Sequence, residues 1–333
     1  MKTERGEEMK KRLRLNRESL LVLTTNYSSI ILLVILSVYT QIATNGLFFN
    51  IDNLLSVTRQ TSVSLIMCIG FTLVVACGGF DLSVSNILAL TSCVYILISK
   101  LLPLPLTIIL TLAVGCFCGL CNGLLIEGFG VSPFIITFAS GGIFRGIAEL
   151  ITNGQTVGEI SEGMRYFGRG TWFGVLPVSF AIALIFAVAG ACLMRKTLYG
   201  RFIIATGGNR KSAAVSGIRV KLISISTYVI MGFCIAAASV MYVGRVAVAY
   251  ASTGTGIDTT VYAAVLIGGT SVRGGRATML GTLCGCLLMG VMNNMFTFME
   301  IGSYLQRIVL GIIIVIAVAL NLKSDKYFTK MKK

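Results

Sequence analysis

The chain has 333 residues, 55% of them hydrophobic and 12% charged, with ten cysteines, no histidine and a formal net charge of +15. Soluble domains carry about 25% charged residues, so one water-soluble core is excluded, and apolar runs recurring from residue 20 to residue 321 indicate an all-α polytopic membrane protein. Without histidine the commonest general base and metal ligand is missing, which leaves little from which to build a hydrolase or an oxidoreductase.

A basic, polar stretch through Arg17 comes first, followed by apolar residues from Leu20 to about Ala43. That run is too long for a signal-peptide core and lacks an A-x-A site, so it reads as a retained first helix. Ten spans are expected in all, at about 17–25 residues each with some shorter. They are 20–43, 62–77, 83–99, 104–127, 131–151, 173–194, 222–249, 257–270, 277–298 and 301–321. The second and eighth are short, and both adjoin a Gly/Asp stretch. The hydrophilic gaps are 152–172 and 195–221, and no linker is long enough to separate domains. The expectation is a single transmembrane domain, 20–321, between basic tails at 1–19 and 322–333.

With both termini inside, the amino tail, 195–221, the 271–276 turn and the carboxyl tail hold 21 of the 28 basic residues. That bias satisfies the positive-inside rule. Arg59, Lys100, Arg145, Arg165, Arg169, Arg245 and Arg307 fall in outer loops or within spans. Merging 62–99 into one crossing would push the basic 195–221 loop outside, so ten spans are preferred. Topology and attraction to anionic membrane lipid then account for the net charge, and no nucleic-acid partner is expected. Cys116, Cys118, Cys121, Cys284 and Cys286 lie inside apolar runs, and their spacing (CFCGLC, CGC) matches no closed zinc pattern. They read as inert buried thiols, with no metal site.

The chain also contains an internal repeat. "GFDLSVSNILALTS" (79–92) aligns with "GIDTTVYAAVLIGG" (256–269), and "GCFCGLCNG" (115–123) with "GTLCGCLLMGVMNN" (281–294). In the ten-span topology Asp81 falls on the inner side and Asp258 on the outer, so the halves are expected to be inverted, as in many transporters with interrupted helices.

Four segments, "TSVSLIMCIGFTLVVACGGFDLSVSNILAL", "NGLLIEGFGVSPFIITFASGGIFRG", "LYGRFIIATGGNRKSAAVSGIRV" and "AAVLIGGTSVRGG" continuing to "GTLCGCLLMGVMNN", resemble in order the permease subunit of ribose-type ABC importers. The resemblance spans about residues 50 to 321. It implies a pore formed with a second permease copy or a paralogue in a bacterial plasma membrane. A separate cytoplasmic ATPase using ATP and Mg would drive it, and an extracytoplasmic sugar-binding protein would feed it. No G-x-x-x-x-G-K-[ST] occurs, so this chain is expected to bind no cofactor and to be no enzyme itself. It departs from the family's Gly-Ile-Asp-Leu-Ser-Val-Gly at Phe80 and Ser85. Where the family often has Gly-Tyr-Glu-Leu-Asp, it has Gly256, Ile257, Asp258, Thr259 and Thr260, so one acidic position is lost. The solute expected is a monosaccharide or similar polyol. Nucleosides, branched-chain amino acids or an ion-coupled cargo are the alternatives, and an amino-acid path would need charge partners for both zwitterion ends.

Gly78 and Gly79 permit a sharp break between two helices. Asp81 and Ser83 can cap the helix that follows, and its dipole favours a carboxylate there by up to about 1 kcal/mol. Ionisable residues within membranes are functional candidates by default, so Asp81, Ser83, Asn86 and Asp258 are assigned to gating or the translocation pathway. Asn122, Asn293 and Asn294 join them, as interhelical hydrogen-bonders or as a polar lining. Gly115, Gly119 and Gly123 form a ridge for close helix packing. Arg145 and Glu149, spaced i,i+4, can pair as an interfacial anchor or a dock for the binding protein. In "YGRFIIATGGNRKSAAVSGIRV" (199–220), Gly207, Gly208 and Asn209 suggest a turn, and Ala213, Ala214 and Gly217 a small-faced helix. By resemblance this is the element that couples to the ATPase.

Overall fold

A computed structural model describes the backbone of residues 29–331 and the side chains of residues 29–319. The amino tail lies outside the described residues. Long apolar segments without interior proline form the helices, and proline and left-handed residues mark many of their ends. The helices are α1 (Ser29–Ala43), α2 (Ile51–Ala76), α3 (Val84–Ser99), α4 (Leu104–Phe129), α5 (Pro133–Thr152), α6 (Glu162–Arg169), α7 (Val178–Lys196), α8 (Leu198–Gly208), α9 (Arg210–Val215), α10 (Val220–Val246), α11 (Ile257–Ile267), α12 (Met279–Phe298) and α13 (Ser303–Met331). Pro103 opens α4 and Pro133 opens α5, positions where the missing N–H costs nothing. Gly130 and Asn153, both in the left-handed region, close them.

Six of the described helices are long and apolar enough to cross a membrane: α2, α4, α5, α7, α10 and α12. Four shorter apolar stretches, α1, α3, α11 and Ser303–Ala319 of α13, bring the total to the ten expected. The main correction concerns the second. It is not a short span of 62–77 but a helix of 26 residues from Ile51, about 39 Å long at 1.5 Å per residue. The polar residues Asp52, Asn53, Arg59 and Gln60 hid its first turns from a hydropathy reading. Asn50 caps it, its side chain accepting the Asp52 N–H at 3.0 Å.

The helix α2 is the axis of the bundle. It is buried through most of its length and is flanked by α10, α12, α7 and α11. By contrast α4, α5 and α7 leave most of their spanning length uncovered, as lipid-facing helices do. The most extensive crossing is α4 on α10. A Cβ at Gly115 would lie 2.4 Å from the Gly232 carbonyl oxygen, one at Gly119 2.1 Å from that of Tyr228, and one at Gly232 2.0 Å from that of Gly115. The sequence ridge of small residues is thus a backbone-to-backbone contact.

The loops gather at two ends. One end carries 153–177, with α6, an antiparallel pair of strands β1 (Thr171–Trp172) and β2 (Leu176–Pro177), and the 247–256 segment. Val157 and Ala249 exchange backbone hydrogen bonds of 2.8 Å, tying these loops together. Lys100 donates to Glu159 at 2.8 Å and holds that exposed carboxyl below its ordinary pKa range. The opposite end carries the break 77–83, the α8–α9 segment and the 268–278 turn.

Candidate functional site

At the break between α2 and α3 the chain turns at Gly78 (φ 87°), and Asp81 is sealed inside at 1% exposure. Asp81 Oδ1 accepts from the Ser83 N–H at 2.8 Å and from Ser83 Oγ at 2.5 Å. Asn122 of α4 donates from Nδ2 to Ser83 Oγ at 2.9 Å, and Ser140 of α5 donates to Asn122 Oδ1 at 2.6 Å. Thr137 of α5 accepts the Leu82 N–H at 3.0 Å. Tyr262 of α11 donates to the Asp81 carbonyl at 2.9 Å, and Tyr228 of α10 to that of Phe80 at 3.2 Å. Five helices therefore meet on one buried polar knot. Asn86 lies beside it, its Nδ2 packed against Gly141 of α5. The expected side-chain cap on α3 does not form: Ser83, at the N-cap, gives its hydroxyl to the Asp81 carboxylate, which also accepts the Ser83 N–H just ahead of the helix.

The second acidic residue sits beside the same helix. Ser85 Oγ donates to Asp258 Oδ2 at 3.5 Å, and Asp258 Oδ1 accepts the Thr259 N–H at 2.9 Å. Gly254 rests on Leu88. The pairs 88–254, 85–258 and 81–262 run in opposite order, so α3 and α11 lie antiparallel.

Asp81 is expected to act here through hydrogen bonding. Asp81→Asn keeps an acceptor for Ser83 and should leave the melting temperature of the purified protein close to wild type. Asp81→Leu strands the buried Ser83 donors and should cost about 1–3 kcal/mol. Equal melting of both variants and wild type would remove the knot from the stability of the fold.

A second feature is open rather than sealed. A cavity of about 660 Å³ lies toward the hairpin end, between α2, α5, α10, α12 and α13, with the 250–257 segment and Thr260 of α11. It is the size of a small-molecule site. Its walls offer amides and hydroxyls from Gln60, Thr61, Ser64, Thr260, Asn293 and Gln306, together with the guanidinium-bearing residues Arg145, Arg245 and Arg307. No carboxylate lines it among the described residues. Of the residues singled out from sequence, Asn293 and Arg145 reach this cavity. Asp81, Ser83 and Asn122 are in the buried knot, and Asn294 instead exchanges hydrogen bonds of 2.8 and 3.1 Å with Asn53 of α2. Arg145 does pair with Glu149, at 3.2 Å, with both side chains half exposed. Gln60, Thr61, Ser64 and Gln306 were missed because a lone polar residue in an apolar helix gives no periodic signal, whereas Thr260 stood out only where the family often carries an acid.

At the opposite end, Gly207 and Gly208 do not form the expected turn but belong to the last turn of α8. Asn209 is the hinge, capping α9 by accepting the Ser212 N–H at 3.0 Å. Left-handed geometry falls at Gly217 (φ 84°), not at Gly208. Ala213 is buried, whereas Ala214 and Gly217 face outward. Gly207 is tightly packed: a Cβ there would lie 2.0 Å from the Ala76 carbonyl oxygen, which also accepts the Gly275 N–H at 2.9 Å.

Comparison with known proteins gives this arrangement its context. Residues 53–318 match the family described as "Branched-chain amino acid transport system / permease component". The chain is 33% identical over 310 residues to the ribose import permease protein RbsC of Haemophilus influenzae, covering 92% of this chain and 94% of that one. It is 35% identical over 305 residues to the RbsC of Escherichia coli K12, covering 90% and 94%. It is 32% identical over 293 residues to the D-allose transport system permease protein AlsC of the same strain, covering 87% and 89%. No solved structure matches at a significant level. A chain with ten apolar helices among its described residues, a polar cavity between them and this family match along most of its length belongs to the membrane-embedded permease subunits of ABC importers, in their ribose-type branch.

Proposed function

We propose that this chain imports a monosaccharide across a bacterial plasma membrane, paired with a second permease subunit. In this reading an extracytoplasmic binding protein delivers the sugar at the hairpin end. A separate ATPase, using ATP and Mg, docks on the α8–α9 segment at the other. The observation that carries the substrate class is the cavity. Its amides, hydroxyls and guanidinium groups suit a ring of hydroxyl groups, while the ammonium of an amino acid would find no carboxylate among the described lining residues. The names of the relatives, ribose and D-allose permeases, support the same class. The knot around Asp81 and the Asp258–Ser85 contact then join helices of the two halves and shape the path without lining it.

The test is uptake of radiolabelled D-ribose and D-allose by proteoliposomes holding the permease, its ATPase and a loaded binding protein. Uptake should require ATP and persist when the proton gradient is collapsed. Gradient-dependent uptake without ATP would instead make the chain a secondary transporter, and leucine uptake in preference to either sugar would overturn the substrate class.

The same reading places the hairpin end outside and the α8–α9 end inside. Reporter fusions after Gly170 and after Arg210 should therefore report opposite sides of the membrane. Matching signals would sink the ten-span topology together with the inversion of its halves.

A further inference from the structure

Transport, as proposed above, requires movement of α8–α9 to reach the membrane helices, and this inference rests on that reading. We infer that an ion pair between Arg210 and Glu127 is the strut that carries the movement into α4.

Arg210 is the first residue of α9, and its Nη2 donates to Glu127 Oε2. Glu127 lies in the last turn of α4, with its side chain only 5% exposed, while Arg210 is 52% exposed. The strut thus has one end at the surface that faces the ATPase and the other inside the bundle. Three residues before Arg210, the backbone of Gly207 is pressed against the end of α2 at Ala76. That contact supplies a fulcrum. With Gly207 held, a tilt of α9 displaces Arg210, and the ion pair pulls on α4. The helix α4 cannot slide along α10, because its glycine ridge is locked into that helix, so the pull moves the two together. Asn122 lies on the same helix, in the polar knot at the α2–α3 break. A displacement of α4 therefore reaches Ser83 and Asp81.

Packing alone would be served equally well by an apolar residue at position 127, because a buried carboxylate is costly to desolvate. Glu127 Oε1 is also buried with no hydrogen-bond partner among the described residues. The pair is therefore incompletely satisfied in this conformation, as befits a contact that tightens and loosens through a cycle. Coupling between two sites travels through contiguous packed and ion-paired groups of this kind.

The experiment uses the complete importer in proteoliposomes, with radiolabelled D-ribose as the probe and a ribose-loaded binding protein outside. Glu127→Gln, Arg210→Gln and the double variant are compared with wild type for ATPase co-purification, ATP hydrolysis and sugar moved per ATP. Each single variant should keep its ATPase, yet move about tenfold less sugar per ATP, within the usual range of coupling between sites. The double variant should be no worse than the singles, because all three remove one link. A loss in Arg210→Gln alone would assign that residue to the ATPase surface and overturn the strut, since Glu127 is buried away from any partner. A wild-type ratio in Glu127→Gln, or losses that multiply in the double variant, would overturn it too. If Gln at 127 prevents insertion, Glu127→Asp keeps the charge and retracts it by a methylene. A partial loss of coupling then supports the strut, and a wild-type ratio removes it. If the wild-type importer takes up no sugar in an ATP-dependent way, the transport reading falls first and the inference with it.

Discussion

Leucine at position 119 is expected to prevent a stable permease from forming. A Cβ at Gly119 would come within 2.1 Å of the Tyr228 carbonyl oxygen and 2.8 Å of its carbon, and both are backbone atoms of a packed helix. No rotamer change can relieve that contact, so α4 and α10 must separate. Separation would open the Gly115–Gly232 and Gly123–Ile225 contacts as well. Overpacking costs about 1–3 kcal/mol where neighbours can give, and occasionally more; here they cannot. Gly119→Leu should elute as aggregate and lose its cooperative melting transition, with Gly119→Ala already impaired. Gly146→Leu on the exposed face of α5, where a Cβ meets nothing within 4 Å, should melt like wild type. A monodisperse Gly119→Leu protein with wild-type melting would refute the α4–α10 crossing.

That α4 packs closely on another helix was legible in the sequence, because glycine at every fourth position of an apolar run has few other uses; that its partner is α10 was not. So were the number of spans and the break at Gly78, which announce themselves through hydropathy and through residues that apolar helices avoid. The start of α2 was not legible, since Asp52, Asn53, Arg59 and Gln60 depress hydropathy although the segment is helical. The site was only partly visible, for a related reason. Sequence exposes residues that are unusual for a membrane, such as Asp81 and Asn122, and these prove to be bonded to one another inside the bundle. The cavity is assembled from ordinary residues, Thr61, Ser64 and Thr260 among them, that distant segments bring together. Local oddity marks where the fold needs a polar joint, whereas the wall of a pathway is a tertiary property.

The Asp81 knot ties helices α3, α4 and α5 to α10 and α11. The α2–α3 break lies early in the chain, yet its freed backbone carbonyls at Phe80 and Asp81 are satisfied by hydroxyls from Tyr228 of α10 and Tyr262 of α11. Ser83 is bound by Asn122 and, through it, by Ser140. The broken backbone has left the helical ladder, and buried carbonyls without partners are expensive. Partners drawn from both halves make the break a joint that neither half can move alone. The same logic applies at the end of α2, where Ala76, Gly207 and Gly275 bring α2, α8 and the 268–278 turn into backbone contact.

If α9 enters a groove on the ATPase, its outward face has to remain small. Ala214 is exposed, Gly217 is exposed with nothing within 4 Å of a Cβ, and Ala213 alone faces inward. Tryptophan at 214 adds bulk without touching the permease, so the membrane fold should survive and melting should stay near wild type. The cost falls on the partner, because interface cores packed to interior density tolerate little extra volume. Ala214→Trp should therefore lose the ATPase on co-purification, with residual hydrolysis no longer stimulated by loaded binding protein. Gly217→Leu tests the same surface less cleanly, because φ of 84° strains any side chain there. Its loss of association should come with a small loss of stability. Gln155→Trp at the hairpin end is the matching control: an exposed position at the opposite end of the helix bundle, where equal bulk should leave ATPase association intact. Association and stimulation at wild-type levels in Ala214→Trp would show that the ATPase grips some other part of the chain, and α9 would then have no place in the power stroke.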